Sequence, residues 1–218
     1  MEADVVNDAP QAAGVPKTEP TPPRRRVALY GGSFDPPHNG HVLFATWVLC
    51  RTPIDELWLL PAAGHVFGKS LTPFPTRYEL ITAAFAHLGP KVRIEPIEDT
   101  LPTPSYTIQT LRALTERHPD IDFTLIMGSD VYLTRHKWRE WDNVERIIDG
   151  RILVIGREGR EGELALDDAS PHVNARGTVT LPDFSSTAVR NAIAAKADYW
   201  WMVPGPVMDL IEAKALYR

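Results

Sequence analysis

A chain of 218 residues can bury one sizeable core, and 44% hydrophobic with 23% charged residues is the balance of a soluble globular domain. A formal net charge of −5 excludes the global basic field used in non-specific nucleic-acid binding, so an anionic ligand would need local positive charge. The sequence holds no apolar run of about 18 residues that would cross a membrane. Its one cysteine, Cys50, can form no internal disulfide; inside an apolar helical pattern it is expected as a buried free thiol, which suits a reducing cytoplasm.

Residues 1–23, MEADVVNDAPQAAGVPKTEPTPP, carry five prolines and almost no large apolar side chains. They are expected to form a disordered tail ahead of a single domain over 24–218. The tail lacks the apolar segment of a secretory signal, and four acidic residues with no arginine do not suit a transit peptide. The RRR at 24–26 reads as a solvated lead-in to the first strand. From Val27 onward, strand patterns are expected at VALYG (27–31), ELWLLP (56–61), KVRIEP (91–96), DFTLIMG (122–128), RILVIG (151–156) and TVTL (178–181). Helical patterns lie between them at NGHVLFATWVLCR, TRYELITAAFAHL, SYTIQTLRALTERH and SSTAVRNAIAAK, and GPVMDLIEAKALY closes the chain. Residues 157–177, including REGREGE, read as a surface insertion. This alternation predicts an α/β fold: a Rossmann-like, doubly wound parallel sheet with flanking helices in one domain. Ligands of such sheets gather at the carboxyl ends of the strands.

The stretch GGSFDPPHNGH, residues 31–41, follows the first strand and precedes a helix. Its glycines allow close backbone approach to a ligand. Asn39 is expected to cap the helix, whose first turn offers unpaired N–H groups and a positive dipole end suited to phosphate. His38 and His41, three apart, would share one face and add donors or charge.

GGSFDPPHNGH resembles the signature of H-x-G-H nucleotidyltransferases, here His38-Asn39-Gly40-His41. PSYTIQTL (104–111), GSD (128–130), Trp138 and FSSTAVR (184–190) follow in the order seen in nicotinate/nicotinamide mononucleotide adenylyltransferases of bacterial type. The H-x-G-H element alone is shared with pantetheine-phosphate adenylyltransferases, cytidylyltransferases and class I aminoacyl-tRNA synthetases. The last would need an anticodon-binding region for which this chain has no room. Two other readings stand beside the leading one: a pantetheine-phosphate adenylyltransferase, a family usually shorter and without S-Y-T and the tryptophan, and a nucleotide-binding regulatory module that has lost catalysis.

The resemblance implies transfer of the adenylyl group of ATP to a pyridine mononucleotide, with release of pyrophosphate, in NAD biosynthesis. Nicotinate mononucleotide is the expected substrate and nicotinamide mononucleotide the alternative. The attacking 5′-phosphate has a second pKa of about 6, so it needs no strong base; holding two anions in line and neutralising the leaving pyrophosphate is the task. The backbone N–H groups of Gly32, Ser33 and Phe34 would meet phosphate. His38, His41 and Arg190 are the implied catalytic residues, with His41 nearest the transferred group. Ser185, Ser186 and Thr187 would bind ATP phosphates at a second helix start, a place a plain N-cap also explains. Gly128 and Asp130 would face the ribose, although Asp130 could equally cap the next helix. Tyr106 and Thr107 would fix the pyridine substituent. Trp138 would stack on the pyridine ring, with Trp141 as the nearby competitor and core packing as the other role. Ser33 and Lys69 would contact the mononucleotide phosphate, and Arg157 the ATP phosphates; Lys69 and Arg157 are equally explained as solvated charges. Related enzymes usually carry Pro-Pro-His-Lys after strand two. Here PAAGHVFGKS (61–70) separates His65 from Lys69 by three residues. Mg²⁺ is the implied cofactor, held mainly by ATP phosphates and water. No nucleic-acid or membrane partner is expected, the location is expected to be cytoplasmic, and a homo-oligomer is compatible with the sequence.

Overall fold

The computed structural model describes residues 23–64, 70–155 and 184–218. Five parallel strands, β1 (Arg25–Gly32), β2 (Glu56–Pro61), β3 (Val92–Ile94), β4 (Ile121–Gly128) and β5 (Ile152–Ile155), form one sheet in the order β3-β2-β1-β4-β5. β1 is central because it is apolar on both faces. Val27 and Leu29 point to one side, Ala28 and Tyr30 to the other, and all four are buried. Such continuous apolar runs suit a strand covered on both faces by crossover helices.

One face is covered by α1 (Asn39–Arg51), α2 (Phe74–Phe85), α6 (Ser186–Ala194) and α7 (Gly205–Ala213). Their buried residues, including Phe44, Val48, Leu80, Ile81, Val189, Val207 and Ile211, join Tyr30, Leu57 and Leu59 in one core. On the opposite face α3 (Thr107–Arg117) and α5 (Trp141–Ile147) pack Ile108, Leu111, Leu114 and Val144 against Leu29, Trp58, Phe123 and Leu125. A short α4 (Ser129–Leu133) leaves the end of β4. The chain runs outward from β1 through β2 to β3, then returns to pair β4 on the other side of β1. The order therefore reverses between β1 and β4, and a crevice opens at their carboxyl ends. Among the described residues, no helix is long and apolar enough to cross a membrane.

The expected segments mostly appear, with four differences. The third strand covers only Val92–Ile94, an edge strand paired through Leu57–Leu59 of β2. α2 starts two residues early, at Phe74, because Pro75 sits in its first turn, where the missing N–H costs nothing. α4 is the short helix expected after Gly128-Ser129-Asp130, whereas α5 is not among the expected helices. Cys50 is exposed rather than buried: α1 buries Phe44, Ala45 and Val48, and a residue two beyond Val48 lies on the far side of a 3.6-residue turn. The expected strand 178–181, the insertion 157–177 and the tail, apart from Pro23, lie outside the described residues.

Candidate active site

β1 ends in Gly31 and Gly32, and the chain turns sharply before α1. The turn is made at Phe34, whose φ of 47° is left-handed and uncommon for a bulky side chain. Complete burial of its ring against Tyr30 and Phe85 holds it there. His38 then becomes the N-cap of α1. The His41 N–H donates to His38 Nδ1 at 3.3 Å, and the His38 N–H donates to His41 Nδ1 at 3.2 Å. The two rings stack with centroids 3.7 Å apart and planes inclined by 22°. Each Nδ1 acts as an acceptor, so each neutral ring carries its hydrogen on Nε2. Two histidines thus replace the usual Ser/Asp and Glu of a capping box and leave a stacked pair of imidazoles at a helix N-terminus.

The expected cap, Asn39, is instead the first helical residue. Its Nδ2 donates to the Trp201 carbonyl at 2.9 Å and its N–H to the Met202 carbonyl at 2.9 Å. A tertiary contact has taken the side chain that local preference would have turned onto the helix. Gly40 has a steric reason. A Cβ there would lie 2.8 Å from Phe184 Cβ and 3.1 Å from His38 Nδ1, too close for any side chain.

Phe184 leads into α6, so the two motifs meet. Ser185 is the N-cap of α6 and accepts from the Ala188 N–H at 3.1 Å. The Ser186 hydroxyl donates to the Pro36 carbonyl at 2.9 Å, and Arg190 Nη1 donates to the Asp35 carbonyl at 2.6 Å. Arg190 Nη2 also donates to Thr187 Oγ1 at 3.3 Å. Segments some 150 residues apart are stitched so that two helix N-termini converge.

Beneath this turn lies a support that sequence reasoning missed. Arg77 is 1% exposed and donates to the carbonyls of Ser33 (2.8 Å), Ala62 (2.7 Å) and Thr72 (2.8 Å). Burial lowers its guanidinium from the ordinary range, and the nearby Asp35 charge opposes that shift. One arginine thereby ties the ends of β1 and β2 to the start of α2.

A cleft of about 310 Å³ opens at the β1/β4 crevice. Gly31, Gly32, Ala62 and Gly128 line it from the strand ends, Thr107 from the start of α3, and Ser105 and Trp138 from the loops. Trp141, the first residue of α5, meets Trp138 edge-on at 5.9 Å and 87°. Tyr106 packs beside the second core, with the Arg139 guanidinium 5.0 Å from its ring centre. Glu98 also lines the cleft and was not anticipated. It accepts from Ser105 Oγ at 2.8 Å and Thr110 Oγ1 at 3.1 Å, and burial pushes its carboxyl above the usual range. No spacing signal marks Glu98 or Arg77; only the topology brings them inward.

The structure therefore gathers His38, His41, Ser185, Ser186, Thr187 and Arg190 at the two helix starts, and Gly32, Thr107, Gly128 and Trp138 around the cleft. Ser33 and Phe34 supply the connecting backbone. Asp130 lies in α4, at the end of β4. His65, Lys69 and Arg157 lie outside the described residues. Among the described residues, no group of three or more His, Cys, Asp or Glu is placed to hold a metal ion.

Known proteins resemble this arrangement. Residues 29–192 match the family model described as "Cytidylyltransferase-like". A protein of Anaeromyxobacter dehalogenans named "Probable nicotinate-nucleotide adenylyltransferase" is 38% identical over 197 residues, covering 89% of this chain and 97% of that protein. The Bacillus subtilis protein named "Nicotinate-nucleotide adenylyltransferase" is 29% identical over 196 residues, 89% of this chain and 99% of its own. The fold matches a solved structure of Plasmodium falciparum nicotinic acid mononucleotide adenylyltransferase complexed with NaAD, with a TM-score of 0.74 and 21% identity, over 88% of this chain and 97% of that one.

Proposed function

The chain belongs to the cytidylyltransferase-like family, and from that membership and the geometry of its cleft we infer that it transfers the adenylyl group of ATP to nicotinate mononucleotide, giving deamido-NAD and pyrophosphate. One observation carries the reading: the helix start holding the His38–His41 pair and the helix start holding Ser185–Arg190 converge beside a switch-point cleft whose other walls bear Thr107 and Trp138.

The chemistry follows from charge. The mononucleotide phosphate is already anionic and can attack the α-phosphorus of ATP directly, while the bond to the bridging oxygen of pyrophosphate breaks. The protein must hold both anions in line and stabilise charge growing on the leaving group. In this reading the Nε2–H groups of His38 and His41 donate to phosphate oxygens, His41 to the transferred group. The backbone N–H groups of Gly32, Ser33 and Phe34, with the α6 start at Ser185, Ser186 and Thr187, receive the remaining oxygens. Arg190 supplies the neutralising charge, supported by Arg157. Gly128 and Asp130 face the adenosine ribose. Trp138 stacks on the pyridine ring, Tyr106 and Thr107 hold its carboxylate, and Ser33 and Lys69 meet the mononucleotide phosphate. Mg²⁺ would come with ATP, held by phosphate oxygens and water, and supply further charge neutralisation there. The reading places the protein in the cytoplasm, without nucleic-acid or membrane partners and with residues 1–23 apart from the catalytic domain. Self-association is compatible with it.

Pyrophosphate release from purified protein tests this. Turnover with ATP and nicotinate mononucleotide, and much less with nicotinamide mononucleotide or phosphopantetheine, is the expected result. Thermal stabilisation by ATP without turnover on any acceptor would leave a binding module and sink the enzymatic reading.

A further inference from the structure

The C-terminal end of the chain reaches the underside of the phosphate-binding turn. After α7 the backbone takes left-handed values at Ala215 (φ 51°) and Tyr217 (φ 62°). Non-glycine residues adopt this region at a cost and keep it where surrounding contacts impose it. The Leu216 N–H bonds the Ile211 carbonyl at 3.0 Å and fixes the reversal. Tyr217 is thereby turned inward, and its hydroxyl donates to Asp35 Oδ1 at 2.7 Å across 182 residues of sequence.

Asp35 is the acidic residue of the Gly-Gly-Ser-Phe-Asp turn and is 3% exposed. Its other carboxylate oxygen accepts from the Thr72 N–H at 3.0 Å, just before α2. Its backbone carbonyl accepts from Arg190, and the next carbonyl, of Pro36, accepts from Ser186. His38 follows two residues later. Asp35 is therefore the joint at which the histidine helix, the α6 helix and the α2 lead-in are fastened. A buried carboxylate with one oxygen unsatisfied would leave the joint both costly and loose. Burial and the neighbouring Asp35 push the Tyr217 phenol upward, so it stays protonated and remains a donor.

We propose that Tyr217 is a positioning residue for adenylyl transfer: through Asp35 it sets the placement of the His38–His41 pair relative to Arg190. The inference rests on the functional reading above. It makes Tyr217, near the C-terminal end of the chain, part of the active-site support without placing it against substrate.

The test is Tyr217→Phe in the full-length chain, which removes one hydroxyl and keeps the ring, with deletion of residues 217–218 as a second variant. Loss of positioning should lower kcat about ten- to a hundredfold, because small displacements are costly in an in-line transfer. The KM for mononucleotide should stay within about twofold of the parent value, since the cleft wall at Trp138 and Thr107 is untouched. Melting should fall by only about 2–4 °C, the effect of one lost hydrogen bond in a domain of this size. Long-range ¹⁵N–¹H spectra of the imidazoles give a readout independent of activity: the Nδ1 resonances of His38 and His41 should shift in Tyr217→Phe. A kcat within about twofold of the parent in both variants, with lowered melting, would make Tyr217 merely structural and overturn the proposal. If the parent protein shows no transfer at all, the functional reading fails on its own, and unchanged imidazole resonances would then overturn the positioning role separately.

Discussion

Replacing Gly40 by alanine adds a single methyl group at the most crowded point of the candidate site. That methyl would sit 2.8 Å from Phe184 Cβ, and 3.1 and 3.2 Å from two atoms of the His38 ring. Comfortable carbon–carbon contact begins at about 3.5 Å, so α1 and the α6 lead-in must separate by about 0.7 Å. Phe184 Cβ sits next to the backbone, so the strain cannot be relieved by rotating a side-chain tip. Overpacking of this kind costs about 1–3 kcal/mol. Alanine returns about 1 kcal/mol as the better helix former, which leaves a net loss of about 0–2 kcal/mol. Phe184 immediately precedes Ser185, the N-cap of α6, so the displacement is delivered to Ser185–Arg190 and to the stacked His38. A misplacement approaching 1 Å in a transfer site costs about 10²-fold in rate. Gly40→Ala should therefore lose about two orders of magnitude in kcat while melting changes by only a few degrees. Steady-state pyrophosphate release and a thermal melt on the same preparation decide it. Near-parental kcat, with melting raised by the better helix former, would show that the two helix starts need not stay in register and would refute the reasoning.

His41→Ala removes one imidazole donor and also the acceptor that caps His38; turnover should fall about 10²–10³-fold while ATP affinity, measured by calorimetry, changes far less. Equal losses in both would make His41 a binding residue only. Trp138→Ala should raise the KM for the mononucleotide about tenfold and leave that for ATP nearly unchanged, whereas Trp141→Ala should act mainly on melting. The reverse pattern in the two variants would exchange their roles. Glu98→Gln probes burial. The Glu98 carboxyl titrates above its unfolded value, so the folded state binds its proton more tightly, and the resulting stability is lost as pH rises through the folded value. The stability of Glu98→Gln relative to the parent should thus improve as pH increases from about 4 towards neutrality. A difference in urea midpoints that is flat across that range would contradict the assignment.

Much of the fold was legible because proline, glycine and polarity punctuate it. α1 and β2 occupy the residues that the pattern predicts, Asn39–Arg51 and Glu56–Pro61. α5 was not legible: it begins after Glu140, at φ 54°, with no side-chain cap, and Asp142 in its first turn is a weak start signal on its own. The site divides in the same way. The residues proposed to meet phosphate cluster in short motifs, and the placement of His38, His41, Ser185 and Arg190 at or near two helix starts could be read from them. The residues that hold those motifs in place could not. Asn39 shows why: its side-chain preference for capping was overridden by the Trp201 carbonyl, a partner 162 residues away.

Arg77, Glu98 and Tyr217 belong to the same class. Each stands outside the short motifs, in a helix, turn or chain end whose local pattern gives it no site role. What makes them inward residues is where polar groups, backbone carbonyls for Arg77 and buried side chains for Glu98 and Tyr217, are left over once the sheet has formed. Parallel strands end in a row of carbonyls and turns that the sheet does not pair, and at a switch point these ends must also be kept open for a ligand. Helices cannot cover them, so long polar side chains from neighbouring elements do. Arg77 takes three carbonyls at the ends of β1 and β2 and before α2, Glu98 gathers two hydroxyls at the start of α3, and Tyr217 takes a carboxylate oxygen of Asp35. The need for an open cleft thus creates the buried polar support beneath it. That support should tolerate substitution less well than the exposed charges elsewhere on the chain, such as the Lys214–Glu79 pair, whose removal should cost at most about 1 kcal/mol.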